Sequence, residues 1–170
     1  LVSSNTPCLE QFRTVFGDER ADYPAAMDRY YNDGPPPDWS KSFVSAYATM
    51  HPWEDWAETW AHYLHIIDTL ETAQNFGLTL QGGKNSAESA SVPDLQLPQK
   101  TNFFVQQTPV EDILNTWMAF SVVLNSLNRS MGLPDAYPFI LYAPVQKKLK
   151  LVHNIIHAKE LDNQFPSTAG

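Results

Sequence analysis

The sequence predicts an all-α protein. Several segments place apolar side chains at spacings of three and four residues, which is typical of helices with one face in a core. The alternation that would indicate strands is almost absent along the 170 residues. Hydrophobic residues make up 43% of the chain and charged residues 18%, which is enough apolar material for a core. We expect a single helical domain over residues 1–170.

The first part of the chain predicts three short helices. Segment 8–16 has apolar residues at helical spacing, and segment 24–31 begins with proline, which suits a first helical turn. The sequence NDGPPP at 32–37 interrupts helical structure. Asp38 is then expected to cap a helix that continues as far as Tyr47.

The longest helical pattern begins at Pro52 and ends near Phe76, before Gly77. Its two acidic residues in the first turn, Glu54 and Asp55, lie where the helix dipole favours negative charge. The apolar side chains of this helix predict one broad buried stripe. The stripe consists of Trp53, Trp56, Trp60, Leu64, Ile67 and Leu70.

A long irregular loop is predicted at about 77–108, because this segment is rich in small and polar residues. Helical spacing resumes at 109–132, where Thr108 and Glu111 have the spacing of a capping box. A last helix is predicted over 144–158.

The net charge of −8 is concentrated in one half of the chain. Residues 1–76 contain twelve acidic and four basic residues, whereas the two kinds balance in 77–170. Such a charge does not favour nucleic acid or a membrane as a partner, and no apolar run approaches the length of a membrane span. The single cysteine, Cys8, excludes an internal disulfide and is in keeping with a cytoplasmic protein.

Four side chains that can bind metal share one stripe of the 52–76 helix. At 100° per residue, Glu54, Glu58, His62 and His65 lie at relative angles of about 0°, 40°, 80° and 20°. Two interpretations stay open from this spacing. The stripe lines the floor of a site, or it consists of solvated glutamates and structural histidines.

No complete metal or catalytic motif is present in the chain. The H-E-x-x-H signature of zinc peptidases is absent, and neither Glu54 nor Glu58 is followed by histidine three residues later, as a di-iron bundle requires. His153 and His157 have the spacing of two zinc ligands, but Asn154 occupies the position of the general base. We interpret this pair as incidental.

Four long runs resemble the C-terminal part of a bacterial family of zinc-binding metallopeptidases that carry an N-terminal zinc ribbon. The runs are FGDERADY (16–23), YYNDGPPPDW (30–39), FVSAYATMHPWEDWAETWAHYLHIIDTLETA (43–73) and LNSLNRSMGLPDAYPF (124–139). The resemblance implies the helical C-terminal part of a gluzincin-like peptidase domain. It also implies that the H-E-x-x-H helix and the zinc ribbon precede Leu1 in a longer protein.

A more distant similarity to lethal-factor-type zinc peptidases implies roles for individual residues. In those enzymes a tyrosine lies seven residues before the first glutamate of the second zinc helix, as Tyr47 does before Glu54. Glu54 would be the third zinc ligand, Glu58 would orient a histidine ligand, and Tyr47 would donate to the oxyanion. A rival assignment makes Glu58 the ligand. His62 and His65 have no role in that pattern; they could be substrate-side donors, although structural roles are preferred.

The sequence therefore predicts a zinc peptidase that cleaves peptide or protein substrates when intact. The isolated chain, with one ligand, is expected to bind zinc weakly and to be inactive. The alternative is a non-catalytic helical module whose aromatic, acidic surface binds a protein. An H-E-x-x-H motif upstream of Leu1 would discriminate between the two.

Overall fold

A computed structural model describes residues 6–80, 95–96, 108–137 and 140–164. Five α-helices contain most of these residues. They are α1 (Thr6–Phe16), α2 (Tyr23–Asp33), α3 (Pro52–Asn75), α4 (Val110–Ser130) and α5 (Ala143–Gln164). The predicted all-α class is confirmed. None of the helices in these ranges is long and apolar enough to cross a membrane.

The chain divides into two compact units. Unit 1 comprises the described residues of 1–63 and 142–170, and unit 2 those of 64–141. Helix α3 contributes residues to both, since the division falls after Tyr63.

Aromatic rings form the core of unit 1, where α1 packs against α5. Phe12, Phe16 and Leu151 are buried together. The Trp56 ring meets the two phenylalanine rings edge-on, with centroids 5.5 and 5.1 Å away. Such ring pairs add to the stabilisation that comes from burying their area. The segment 8–16 was therefore predicted correctly as a helix with an apolar face, although α1 begins two residues earlier.

A buried ion pair links α3 to α5 within unit 1. Lys148 Nζ lies 2.6 Å from Asp55 Oδ2, and the two side chains are only 5% and 1% exposed. The Lys148 ammonium also donates to the carbonyl oxygen of Ser42 at 2.5 Å and lies 4.0 Å from the centroid of the Phe43 ring. Burial raises the pKa of Asp55 to about 6, although the Lys148 charge opposes this rise. Burial also lowers the pKa of Lys148.

The apolar stripe predicted for α3 is wrong at two of its positions. Trp53 is 45% exposed and Leu64 is 48% exposed. The most buried positions of the helix form a different row. That row is Asp55, Thr59, Tyr63, Ile66, Leu70 and Ala73. Hydrophobicity could not identify this face, because Asp55 lies on it and is compensated by a lysine distant in sequence.

The helix expected after Asp38 does not form. The chain makes two 3-10 turns, Trp39–Lys41 and Tyr47–Thr49, and Asp38 makes no side-chain capping hydrogen bond. In an α-helix the Ser42 carbonyl oxygen would accept a bond from the amide four residues later. Here Lys148 donates to that oxygen, so the tertiary contact replaces a helical one.

Helix α2 is capped by a residue outside the predicted segment. Asp22 accepts a hydrogen bond from the Ala25 amide at 3.0 Å, and Pro24 lies in the first turn as expected. For α4 the predicted capping box is wrong. Pro109 occupies the N-cap position with no side-chain hydrogen bond, so Thr108 lies one residue too early to cap.

The loop predicted at 77–108 contains a short pair of strands. Strand β1 (Thr79–Leu80) pairs antiparallel with β2 (Leu95–Gln96), with Thr79 opposite Gln96. The remainder of the predicted loop, at 81–94 and 97–107, lies outside the described residues.

In unit 2 a buried asparagine holds the turn that follows α4. The Asn125 amide nitrogen donates to the Tyr137 carbonyl oxygen at 2.7 Å, and its Oδ1 accepts from the Ala136 amide at 2.9 Å. The Tyr137 ring is placed edge-on to the buried Trp117, 5.4 Å between centroids. One buried side chain thereby fixes the path of the backbone at 136–137.

We expect Asn125→Ala to lower the free energy of unfolding by about 1–3 kcal/mol, because two backbone groups lose their partner. Urea denaturation of the protein measures this. Ser126→Ala is the matched control, since the Ser126 hydroxyl donates to the Val122 carbonyl oxygen of its own helix. Equal stability of the two variants would show that Asn125 does not hold the turn.

Candidate functional site

Glu54 lies in the first turn of α3, in unit 1, and its carboxylate is half-buried. The hydroxyl of Tyr23, the first residue of α2, donates to Glu54 Oε1 at 2.7 Å. This hydrogen bond is the main reason why the pKa of Tyr23 rises to about 12, and burial adds to the effect. A hydrogen bond therefore fixes the Glu54 carboxylate within a cluster of tyrosines.

Tyr47 belongs to the same cluster. Its hydroxyl interacts with that of Tyr23. Burial raises the pKa of Tyr47, and the negative charge of Glu54 raises it further. The charge of Glu58, one turn further along α3, acts on Tyr47 in the same direction. The Tyr30 ring packs edge-on against the Tyr47 ring at 5.7 Å. Tyr47 therefore lies near Glu54 and Tyr23, and Glu58 lies one turn further along α3.

His51 organises the start of α3 beside this cluster. Its Nδ1 accepts a hydrogen bond from the Trp53 amide at 3.1 Å, in the manner of an N-cap. Its Nε2 lies 3.0 Å from the Ala21 carbonyl oxygen, to which it donates. Because Ala21 precedes α2, this bridge sets α2 against the first turn of α3, and the His51 ring contacts that of Tyr23.

The two histidines predicted on the same stripe lie in different surroundings. His62 is a buried residue of unit 1, 5% exposed. His65 belongs to unit 2, where its Nδ1 is hydrogen-bonded to the Tyr137 hydroxyl. The structural roles preferred for both stay predictions.

The pair His153 and His157 lies in unit 1 on α5, with ring centroids 4.2 Å apart. His153 Nδ1 is hydrogen-bonded to the Tyr63 hydroxyl at 2.8 Å. The ring is thereby engaged in packing between α3 and α5.

Sequence reasoning missed two residues of the site, Tyr23 and His51. The signal for His51 was its position before Pro52, because proline in the first turn marks the preceding residue as the N-cap. Nothing in the local sequence indicated Tyr23, which reaches Glu54 across 31 residues of chain.

Comparison with known families shows to which family the chain belongs. The model of the family described as "Putative zinc-binding metallo-peptidase" matches residues 1–155. The chain belongs to this family. The predicted resemblance to a family of zinc-binding metallopeptidases is therefore confirmed.

Three curated relatives, described as uncharacterized proteins, come from Mycobacterium bovis and from two strains of Mycobacterium tuberculosis. Each is 43% identical to this chain over 156 residues, covering 92% of the chain and 41% of the relative. The chain thus spans about two fifths of the length of these family members. No solved structure matches it significantly.

The zinc in the family description can be tested against the side chains present. Among the described residues, no group of three His, Cys, Asp or Glu side chains could hold a metal ion. Carboxylate oxygen is nevertheless a common zinc ligand, and Glu54 has one oxygen held by Tyr23. Among the described residues Glu54 Oε2 accepts no hydrogen bond. The cluster therefore fits zinc as a contributor of one ligand.

Proposed function

We propose that the intact protein is a zinc-dependent peptidase of the gluzincin type, in which Glu54 is the metal ligand supplied by this chain. The observation that carries the proposal is the half-buried Glu54 carboxylate, held through Oε1 by Tyr23 and flanked by Tyr47. Metal-bound carboxylates are typically oriented by a second hydrogen bond of this kind. Membership of the zinc-binding family supports the metal.

Each residue of the cluster has a distinct part in this proposal. Tyr23 holds Glu54 in one rotamer and leaves Oε2 for the metal. When bound, zinc would polarise the peptide carbonyl and activate water. The raised pKa of Tyr47 keeps its hydroxyl protonated at neutral pH, so that it can donate to the oxyanion of the substrate. Glu58 would orient a histidine ligand from a helix outside residues 1–170.

The rival assignment makes Glu58 the ligand and Glu54 a surface residue. The hydrogen bond from Tyr23, which holds the Glu54 carboxylate, supports our choice of Glu54. The substrates would be peptides or proteins, since the net charge of −8 does not favour nucleic acid or an anionic membrane.

Hydrolysis of a peptide mixture by the intact protein, lost on chelation and restored by zinc, tests this activity. We expect Tyr47→Phe to lower kcat by about 10²–10³-fold with unchanged zinc content, because one oxyanion donor is removed. Tyr142→Phe is the matched control, since Tyr142 also belongs to unit 1, is 41% exposed and is not part of the tyrosine cluster. Wild-type kcat in the Tyr47 variant would contradict this role.

A further inference from the structure

A groove of about 500 Å³ lies beside the tyrosine cluster in unit 1. Its walls include Arg29, Tyr30 and Asp33 of α2, and His51 before α3. Two of these residues also contact the cluster. Tyr30 packs on Tyr47, and His51 packs on Tyr23 with ring centroids 5.1 Å apart. The groove therefore lies next to the tyrosine cluster, and His51 and Tyr23 connect it to Glu54.

The turn that closes the groove is stiff. Gly34 ends α2 with a φ of 75°, a left-handed conformation that favours glycine, and its amide donates to the Tyr30 carbonyl oxygen at 2.9 Å. Three consecutive prolines, at 35–37, follow and also line the groove. Because proline fixes φ, this wall loses little freedom when a ligand binds.

Arg29 lines this groove with a positive charge that pairs with no acidic side chain among the described residues. Residues 1–76 contain four basic side chains. Three of them are paired, as Arg13 with Glu19, Arg20 with Asp18, and Lys41 with Asp38. Arg29 is exposed and forms no ion pair with any described residue.

We propose that the groove is a substrate subsite in which Arg29 binds a carboxylate of the peptide, from an acidic side chain or from the C-terminus. This inference rests on the proposed function, because it takes Glu54 to mark the metal centre. The planar guanidinium suits a carboxylate through two parallel hydrogen bonds. Asp33, four residues later on the same wall, also faces the groove and would instead favour a basic side chain.

Four fluorescein-labelled Gly/Ser octapeptides test the subsite by anisotropy with the zinc-loaded intact protein. They are a C-terminally amidated peptide with two Glu, one with two Gln, one with two Lys, and the Gln peptide with a free carboxylate. We expect at least one carboxylate peptide to bind about fivefold or more tightly than the amidated Gln peptide. The Glu peptide and the free-carboxylate peptide distinguish the two sources.

The preference should disappear in Arg29→Gln and persist in the matched control Arg20→Gln, whose side chain is paired with Asp18 outside the groove. The Arg20→Gln control excludes a general charge effect, because both variants lose one positive charge. Equal affinities, a preference for the Lys peptide, or a preference that survives Arg29→Gln would each overturn the inference.

Zinc content tests the proposed metal site separately from peptide binding. Arg29→Gln should leave zinc content unchanged, whereas Glu54→Gln should lower it. If Glu54→Gln retained zinc, the proposed function would fail while the binding comparison still decided whether Arg29 selects carboxylates.

Discussion

Glu54→Gln in the intact protein is expected to weaken zinc binding by more than about 100-fold. Loss of a residue that only orients a ligand costs about 10–100-fold in metal affinity, so loss of a ligand should cost more. The amide is similar in size to the carboxylate and can still accept the Tyr23 hydrogen bond, so the fold should persist. Metal content after dialysis against a graded zinc buffer measures the change.

Two control variants test whether the loss of zinc binding is specific to Glu54. Glu10→Gln alters an exposed glutamate of α1 and should leave zinc binding unchanged. Glu58→Gln should lower zinc affinity by no more than about 100-fold if Glu58 orients a histidine ligand. If Glu58→Gln lost more zinc affinity than Glu54→Gln, Glu58 would be the ligand and Glu54 would not. If zinc binding were unchanged in both variants, α3 would supply no zinc ligand from either glutamate.

Lys148→Met is expected to lower the free energy of unfolding by about 3–5 kcal/mol at pH 8, because it leaves the Asp55 carboxylate buried without its counter-charge. The side chain of Asp55 is 1% exposed, so water cannot replace the ammonium. Urea unfolding at pH 8 measures the loss.

The loss should shrink as the pH falls. Burial already raises the pKa of Asp55 from 3.8 to about 6, and Lys148 holds it from rising further. Without Lys148, the folded pKa lies above about 6. A group with a raised folded pKa stabilises fully below its unfolded pKa and loses this contribution as the pH rises through the folded value. The stability of Lys148→Met should therefore fall between about pH 4 and a pH above 6.

The double variant Asp55→Asn/Lys148→Met isolates this effect, since it has no titrating group at the pair. Its stability should lack this pH dependence and exceed that of Lys148→Met at pH 8. Parallel pH profiles of Lys148→Met and the double variant would show that Asp55 does not titrate as the structure indicates.

Much of the helical framework could be predicted from local patterns. The α3 helix was expected at 52–76 and is observed as Pro52–Asn75. Its ends could be predicted because Pro52 and Gly77, which favour the start and the end of a helix, lie beside them in the sequence. The predictions that were wrong depend on distant partners. Asp38 starts no α-helix: the chain makes 3-10 turns there, and the Ser42 carbonyl oxygen accepts from Lys148, more than 100 residues away.

The candidate site divides in the same way. Tyr47, Glu54 and Glu58 could be selected because they lie within 12 residues of one another, and the Glu54 charge acts on Tyr47 in the structure. Their roles stay predictions. Tyr23 could not be selected, because its hydrogen bond to Glu54 joins two helices and depends on how α2 is set against α3 by His51.

By itself the sequence determined the helical class, the zinc-binding family and the spacing of Tyr47 and Glu54, since each depends on residues close together in the chain. Only the tertiary structure decided which face of α3 is buried, which tyrosine holds Glu54 and which cation lines the groove. Asp55 and Lys148 show the reason. A buried charge is tolerated when a side chain of opposite charge from another helix pairs with it. The sequence around either residue does not indicate this pairing.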